Sequence, residues 1–261
     1  MKMKKLVLII PFVLLSIVIN AQTKTIAHRG FWDTEGSAQN SLKSLRLAND
    51  IHCFGSEFDV WITKDGEVMV NHDPTFQNVT LETATYNEVK NLKLSNGEKM
   101  PTLKDYLKQG KKLKVQLILE IKTHQNIERQ NAAIDATLQL VKKMKLENRI
   151  TYIAFSLDAV KRLVKEAPKG TEIYYLNGEL SPKELKAIGC TGPDYNQSVY
   201  KAHPEWIKEC HELGLKTNVW TVNKKGDMEF FIKEGVDYIT TNKPVVLQKM
   251  TGNKIDDKYA K

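Results

Sequence analysis

Two patterns of apolar positions, one with the period of a strand and one with the period of a helix, alternate along the chain. Short apolar runs with a two-residue period are typical of strands, and the stretches between them repeat apolar residues every three or four positions, as helices do. The strand patterns are centred near residues 25, 57, 117, 152, 173, 194, 218 and 239. Eight strands alternating with helices predict an α/β fold, a (β/α)8 TIM barrel, in one domain spanning residues 22–261.

Local signals support these elements and leave one alternative fold. Ser181-Pro182-Lys183-Glu184 is a capping box with proline at the first helical position, and Asn40 or Ser41 is available to cap the first helix. Residues 73–101 look polar and irregular, so we expect an insertion after the second strand. An open doubly wound sheet is the alternative, but His28-Arg29-Gly30 stands where its glycine-rich phosphate loop would be.

The first 21 residues have a different character from the rest. Lys2, Lys4 and Lys5 precede an apolar run over residues 6–19, and Ala21 supplies a small residue for cleavage. This arrangement predicts a signal peptide over residues 1–21 and therefore an exported protein, periplasmic or secreted. An uncleaved anchor is the less favoured alternative because the run is short for a membrane span, so we expect no stable membrane insertion after cleavage.

Charge and cysteine content exclude several other classes of function. The net charge is +8, but the lysines are spread over predicted helix faces, which argues against nucleic-acid binding. Cys53, Cys190 and Cys210 are far apart in sequence and form no C-x-x-C pair, so neither a zinc nor a redox site is indicated. One disulfide or three buried thiols are both compatible with the sequence. The oligomeric state is left open.

Charged side chains gather where the predicted strands end. Glu57 and Asp59 alternate with Phe58 and Val60, so both carboxylates project from one face of a central strand. In a barrel, strand ends meet at one rim, where chemistry takes place. The polar residues expected at that rim are His28, Arg29, Glu57, Asp59, His72, Glu120 and Lys122.

These residue types together suggest a site that cleaves phosphodiesters. Carboxylates at 57, 59 and 120 are suitable oxygen ligands for Mg²⁺ or Ca²⁺, because neither a cysteine nor a multi-histidine set points to zinc. Arg29 and Lys122 offer positive charge to a phosphate, although Lys122 could simply pair with Glu120. His28 and His72 would be a general acid and base on either side of a displacement at phosphorus.

At these residues the chain resembles the glycerophosphodiester phosphodiesterase family. The resemblance covers roughly residues 24–250, and its spaced combination is highly specific. The matching runs are Ala27-His28-Arg29-Gly30, Glu57-Phe58-Asp59-Val60, Asn71-His72-Asp73, Leu119-Glu120-Ile121-Lys122, Phe155-Ser156, Val219-Trp220-Thr221-Val222-Asn223 and Thr241-Asn242-Lys243-Pro244.

The resemblance implies a reaction and a role for each matching residue. It implies a divalent metal on Glu57, Asp59 and Glu120, catalytic histidines at 28 and 72, and phosphate contacts from Arg29 and Lys122. Phe155 and Trp220 would line the substrate pocket, although Trp220 by itself suggests barrel packing. The implied reaction releases sn-glycerol 3-phosphate and an alcohol from deacylated phospholipids, with the glycerol hydroxyl as nucleophile and a cyclic phosphate as intermediate.

Two positions depart from the family pattern, and two other functions stay open. Gln39 stands where the family usually has a glutamate, and Asn242 where it usually has an aspartate. Residues 31–37 form a long loop that would shape the alcohol pocket. The alternatives are a phospholipase-type or phosphotransfer enzyme that stops at a cyclic phosphate, and a non-catalytic phosphate- or polyol-binding barrel.

Overall fold

The sheet closes on itself because the first strand pairs with both the second and the last. A computed structural model describes residues 22–252, 255 and 259. Ala27 in β1 (Lys24–Ala27) is in register with Ser56 of β2 (Gly55–Ile62) on one side and with Thr241 of β11 (Tyr238–Thr241) on the other. The eight strands are parallel throughout, in the order β1, β2, β6 (Gln116–Ile121), β7 (Ile150–Ala154), β8 (Glu172–Tyr175), β9 (Gly192–Asn196), β10 (Asn218–Trp220) and β11. This order confirms the predicted eight-stranded barrel.

The observed elements follow the predicted alternation of strands and helices. The strands are β1 Lys24–Ala27, β2 Gly55–Ile62, β3 Val68–Val70, β4 Thr75–Phe76, β5 Val79–Thr80, β6 Gln116–Ile121, β7 Ile150–Ala154, β8 Glu172–Tyr175, β9 Gly192–Asn196, β10 Asn218–Trp220 and β11 Tyr238–Thr241. The helices are α1 Leu42–Asp50, α2 Tyr86–Val89, α3 Leu103–Gly110, α4 Ile127–Met144, α5 Leu157–Glu166, α6 Pro182–Ile188, α7 Gln197–Ala202, α8 Glu205–Glu212, α9 Lys225–Glu234 and α10 Pro244–Met250. A 3-10 turn, Glu147–Arg149, precedes β7, and neither it nor α7 was predicted from the sequence.

Side chains along each barrel strand face outward and inward in alternation, which produces two separate apolar layers. Phe58 and Val60 of β2 belong to the large core between the strands and the surrounding helices. A smaller apolar group, which includes Ile118 and Ile153, fills the inside of the barrel. Because neighbouring side chains on a strand face opposite sides, the outward packing of Phe58 and Val60 turns Glu57 and Asp59 inward.

Helix starts are fixed by the polar residues that precede them. Ser41 caps α1 by accepting the backbone N–H of Ser44, which decides between the two caps that the sequence allowed. Ser181 forms the predicted capping box with Glu184 at the start of α6. Gly235 ends α9 in the left-handed region, at φ 78°, where glycine carries no steric cost.

The segment between β3 and α3 has more structure than its polar sequence suggests. The strands β4 and β5 pair in antiparallel fashion, and α2 follows them. Leu81, Ala84, Val89, Leu94 and Met100 form a separate apolar cluster with Ala38, Trp61 and Met69. The expectation of an irregular insertion is thus wrong in one respect, because a few widely spaced apolar residues are enough to cover one face of the β2–β3 hairpin.

Three features outside the barrel strands complete the description. Cys53, Cys190 and Cys210 are buried free thiols. Within the described part of the chain, every helix is too short or too polar to cross a bilayer. The predicted signal peptide, residues 1–21, lies outside the described residues.

We expect Leu81→Ala to lower the free energy of unfolding by about 2–5 kcal/mol, since Leu81 is fully buried in the insertion cluster and truncation leaves a cavity. Urea denaturation with an unchanged m-value would measure this loss. Ile127→Ala is the matched control, because Ile127 is 52% exposed and its truncation should change stability by about 0.5 kcal/mol or less. Equal losses in the two variants would contradict an independent insertion core.

Candidate active site

Three carboxylates meet at the carboxyl end of two neighbouring strands. Glu57 and Asp59 lie on β2, and the register between β2 and β6 sets Asp59 directly beside Glu120. One oxygen from each carboxylate lies within 4.8 Å of the other two, and all three side chains are buried. The structure therefore brings together the three residues that the sequence predicted as metal ligands.

The charges of this carboxylate triad are only partly balanced by the protein. Burial and the neighbouring carboxylates raise the pKa values of Glu57 and Glu120. Burial also opposes ionisation of Asp59, but Lys122, His72 and a hydrogen bond from Asn40 outweigh it and lower the pKa of Asp59. Lys122 Nζ lies 2.7 Å from Glu120 and 3.2 Å from Asp59, so the pairing considered from sequence is present.

The triad has the chemistry of a hard-cation site. Its ligand atoms are all carboxylate oxygens, which Mg²⁺ and Ca²⁺ prefer. Glu57 Oε1 is buried and has no hydrogen-bond partner among the described residues. Buried polar atoms are normally paired, so an oxygen left open beside two other carboxylates fits a bound cation.

A strained turn after β1 holds the triad from the side. Arg29 has a positive φ of 57°, and its backbone N–H donates to Glu57 Oε2 at 2.7 Å. Gly30 follows at φ 77°, where an added Cβ would lie 2.4 Å from Ser44 Oγ, so only glycine fits. The run His28-Arg29-Gly30 is thus a positioning turn that aims a backbone donor at a buried carboxylate.

Asn40 connects this turn to the second carboxylate. Its side-chain amide donates to Asp59 Oδ2 at 2.9 Å, while its backbone N–H donates to the carbonyl of Arg29. The sequence suggested Asn40 only as a helix cap, and its positive φ of 58° was not foreseen. Asparagine tolerates this backbone region better than most residues, which is the signal that could have marked it.

The two histidines lie in different environments. His28 Nδ1 is 2.7 Å from Asn242 Oδ1, which places the proton on Nδ1 and directs Nε2 toward Glu57 at 4.0 Å. Burial, reinforced by the charge of Arg29, lowers the pKa of His28 to about 4. His72 is more exposed; its Nδ1 lies 2.7 Å from Asp73, and its carbonyl accepts the indole N–H of Trp61.

A cavity of about 110 Å³ opens beside the triad. Eight of the nine predicted site residues line it, namely His28, Arg29, Glu57, His72, Glu120, Lys122, Phe155 and Trp220. The ninth, Asp59, does not line the cavity but belongs to the same carboxylate triad as Glu57 and Glu120. Phe155 and Trp220 pack edge to face, with ring centroids 5.6 Å apart, and close the apolar side of the cavity.

Comparisons with known proteins agree with this geometry. Residues 28–246 match the model of the glycerophosphoryl diester phosphodiesterase family. A crystal structure of a glycerophosphodiester phosphodiesterase from Parabacteroides distasonis is 51% identical, with a TM-score of 0.87 over 89% of this chain and 98% of that one. A glycerophosphodiester phosphodiesterase from Caldanaerobacter subterraneus subsp. tengcongensis is 28% identical over 87% of this chain and 96% of its own length.

The chain belongs to the glycerophosphoryl diester phosphodiesterase family. It is a phosphoric diester hydrolase that acts on glycerophosphodiesters, as the resemblance implied. A structure of an Oleispira antarctica phosphodiesterase in complex with the product sn-glycerol-3-phosphate shares the barrel, with a TM-score of 0.77 at 21% identity over 89% of this chain and 98% of that one.

Both departures from the usual pattern of this phosphodiesterase family lie at the site. Gln39 Oε1 accepts a hydrogen bond from Arg29 Nη1 at 2.6 Å, so a neutral amide orients the guanidinium without cancelling its charge. Asn242 is the neutral partner of His28, and Asn223 orders it by accepting its backbone N–H at 2.8 Å. An acid at either position would place a further negative charge beside the arginine or the histidine.

A second, larger opening adjoins the cavity at His72. The groove has a volume of about 930 Å³ and runs between the loop over residues 31–37 and the insertion. Its lining is mostly polar, with Trp32 and Phe76 as the aromatic exceptions. The long loop predicted to shape an alcohol pocket therefore forms one wall of this groove.

Two buried residues near the site, Asp194 and His124, were not predicted to have a role there. Asp194 of β9 lines the cavity as a buried carboxyl, and burial together with Glu120 raises its pKa well above the usual range. His124 is buried and accepts the backbone N–H of Ile62, so it is a structural histidine. Asp194 gave no sequence signal beyond its place in a weak strand.

We expect the folded, metal-free protein to show a His28 pKa of about 4, measured by NMR titration of the imidazole. Asn242→Asp should raise this pKa, because a carboxylate at Nδ1 stabilises the imidazolium. Since an unfolded histidine titrates near 6.5, His28 should also make the free energy of unfolding fall as pH drops from about 6.5 toward 4.

Asn126→Asp is the matched control for this titration. Asn126 caps α4 through its side-chain oxygen, and an aspartate can do the same, so this variant adds a charge away from the site. An unchanged His28 titration in Asn242→Asp would show that the assigned hydrogen bond does not control the imidazole.

Proposed function

We propose that this phosphodiesterase converts glycerophosphodiesters to sn-glycerol 3-phosphate and an alcohol by two-histidine acid–base catalysis beside a divalent cation. One observation carries the proposal. His28 and His72 line the same 110 Å³ cavity as two cationic side chains, next to three buried carboxylates. The product bound by the Oleispira antarctica phosphodiesterase supports the choice of product.

Glu57, Asp59 and Glu120 would hold the cation, Mg²⁺ or Ca²⁺. When bound, such an ion neutralises charge on the non-bridging phosphate oxygens as the phosphorus centre is attacked. Asn40 and the backbone N–H of Arg29 keep two of the carboxylates in place. These supports matter because the free carboxylates repel one another.

Arg29 and Lys122 would bind the phosphate. The guanidinium of Arg29 is oriented by Gln39 and keeps its full charge, and a planar guanidinium matches phosphate oxygens in bidentate form. Lys122 pairs with Asp59 and Glu120 from within the cavity wall, so its ammonium lies next to the triad. The phosphate would therefore bind on the side of the cavity where these two positive side chains lie.

The histidines would move protons on opposite sides of the phosphorus. His28 is neutral near pH 7 with Nε2 unprotonated, so it can take the proton of the substrate hydroxyl as that oxygen bonds to phosphorus. His72 lines both the cavity and the groove, so it can protonate the alcohol oxygen as its bond to phosphorus breaks. In the second step, water attacks the cyclic phosphate and the two histidines exchange roles.

The alcohol would occupy the groove between the 31–37 loop and the insertion. At about 930 Å³ this groove is much larger than the cavity beside the triad, so alcohols of different sizes can be accommodated there. The small cavity would then hold the glycerol and the phosphate. In this arrangement the small cavity selects the glycerol phosphate part of the substrate, and the groove accepts a range of alcohols.

We also propose that the protein is exported. Three lysines ahead of an apolar run and a small residue at position 21 support cleavage after Ala21. A mature amino terminus at residue 22 would leave the barrel intact, because β1 begins at Lys24. Amino-terminal sequencing of the protein recovered from outside the cytoplasm tests this proposal.

A phosphotransfer enzyme would stop at the cyclic phosphate, and phosphorus NMR separates that outcome from full hydrolysis. We expect the cyclic signal to appear only transiently and the phosphomonoester to accumulate, because two proton-transferring groups serve both steps. The assay needs a panel of glycerophosphodiesters tested with each metal. A persistent cyclic product would favour the phosphotransfer alternative, whereas absence of turnover with every substrate would favour a binding protein.

We expect His28→Ala and His72→Ala each to lower kcat/KM by about 10²–10⁴-fold, because each removes a general acid or base. Metal binding, measured by calorimetry, should persist in both variants, while EDTA should abolish hydrolysis by the wild type. His203→Ala is the control, since His203 is an exposed residue stacked on Trp206. Full activity of His72→Ala would reject the acid–base assignment.

A further inference from the structure

Asp194 projects into the catalytic cavity from the wall opposite the carboxylate triad. Tyr195, the next residue on β9, packs in the outer core, and this turns Asp194 toward the inside of the barrel. Asp194 is on the sixth strand of the closed barrel and Glu57 on the second, so three strands lie between them in either direction. Its side chain is 2% exposed and lines the cavity.

The position of Asp194 is firmly held, but one of its oxygens is left open. The backbone carbonyl of Asp194 accepts the indole N–H of Trp220 at 2.8 Å, and Phe155 packs against that indole. The side chain of Asn218 forms a hydrogen bond with the Asp194 carboxyl, but Asp194 Oδ1 is buried and has no partner among the residues that the structure describes. A buried polar atom without a partner is unfavourable, and Asp194 lines the cavity, so a ligand group bound there would be a suitable partner for its carboxyl.

The surroundings of Asp194 define what that ligand group can be. Asp194 is outside the group of carboxylates whose oxygens lie within 4.8 Å of one another, so it is not part of the proposed cation site. The phosphate carries negative charge and belongs with Arg29 and Lys122 on the other side. Two buried apolar residues also line the cavity: Ile153 on β7, and Leu176 directly after β8. The remaining polar part of the substrate is an uncharged hydroxyl.

We propose that Asp194 accepts a hydrogen bond from the terminal hydroxyl of the substrate glycerol and so selects glycerol over vicinal diols that lack this group. The inference rests on the proposed function, in which the neighbouring hydroxyl is the nucleophile and the phosphate lies at the triad. A carboxyl keeps at least one acceptor oxygen in either protonation state, so the interaction does not depend on its titration.

A pair of substrates tests this role directly. The two are phosphodiesters of glycerol and of propane-1,2-diol with the same leaving alcohol; the second retains the nucleophilic hydroxyl and lacks only the terminal one. We expect the wild type to prefer the glycerol substrate by about 10-fold to 100-fold in kcat/KM, because the analogue leaves a buried acceptor unpaired. Asp194→Leu should bring this ratio close to 1, and Asp194→Asn, which keeps an acceptor oxygen, should retain most of it.

Thr137→Val is the matched control for the variants. Thr137 Oγ1 is also buried without a partner in the described structure, but it lies on α4, away from the cavity. This variant should keep the wild-type ratio. An unchanged ratio in a folded Asp194→Leu protein would overturn the proposal.

A measurement on the wild type decides the matter if the leucine variant does not fold. Glycerol 3-phosphate should inhibit at least about 10-fold more strongly than the phosphate monoester of propane-1,2-diol, and equal inhibition would overturn the role of Asp194. The same two diesters give a different result if the proposed function itself is wrong. In that case the wild type would hydrolyse neither diester, whereas hydrolysis without discrimination would reject only the present inference.

Discussion

Mutual repulsion among three buried carboxylates is the constraint around which this barrel mouth is built. Glu57, Asp59 and Glu120 are brought within 4.8 Å by the register of two neighbouring strands, and burial denies them the water that would screen their charges. Lys122 compensates for part of this charge, but Glu57 and Glu120 still have raised pKa values. Three ionised carboxylates so close together are stable only with a further positive charge beside them. A cation that supplies this charge also attracts a phosphate, so a cation site and a phosphate site can lie at the same place.

The scaffold around the triad is made of strained or unusual backbone positions. Arg29 and Asn40 both have positive φ values, and each donates to a different carboxylate of the triad. Residues in such conformations persist only where the surroundings determine them, and here they connect the turn after β1 to β2. The loop that supports the site therefore carries backbone strain, while the eight strands keep regular parallel pairing.

The cavity and the groove divide the substrate between them. The cavity of about 110 Å³ has charged groups on one wall and Asp194 on the other, which suits a small molecule with an anionic end and a hydroxyl end. The groove of about 930 Å³ has a polar, open lining. His72 borders both and so stands where the bond between phosphate and alcohol must break. The insertion packs its apolar cluster against Trp61 of β2, and the indole N–H of Trp61 donates to the carbonyl of His72.

Alternation and helical spacing are local properties of the chain, so they were enough to predict the eight strands, the inward face of Glu57 and Asp59, and the set of residues at the strand ends. The sequence also indicated the family, since the matching runs are short and contiguous. Which residue lies opposite the triad depends instead on contacts between distant parts of the chain. Asp194 is 135 residues from Asp59 along the chain, and closure of the barrel is what sets its strand across the cavity from β2. The same holds for Asn242 beside His28, because β11 returns to pair with β1. Long-range pairing of this kind leaves no periodic mark in the sequence.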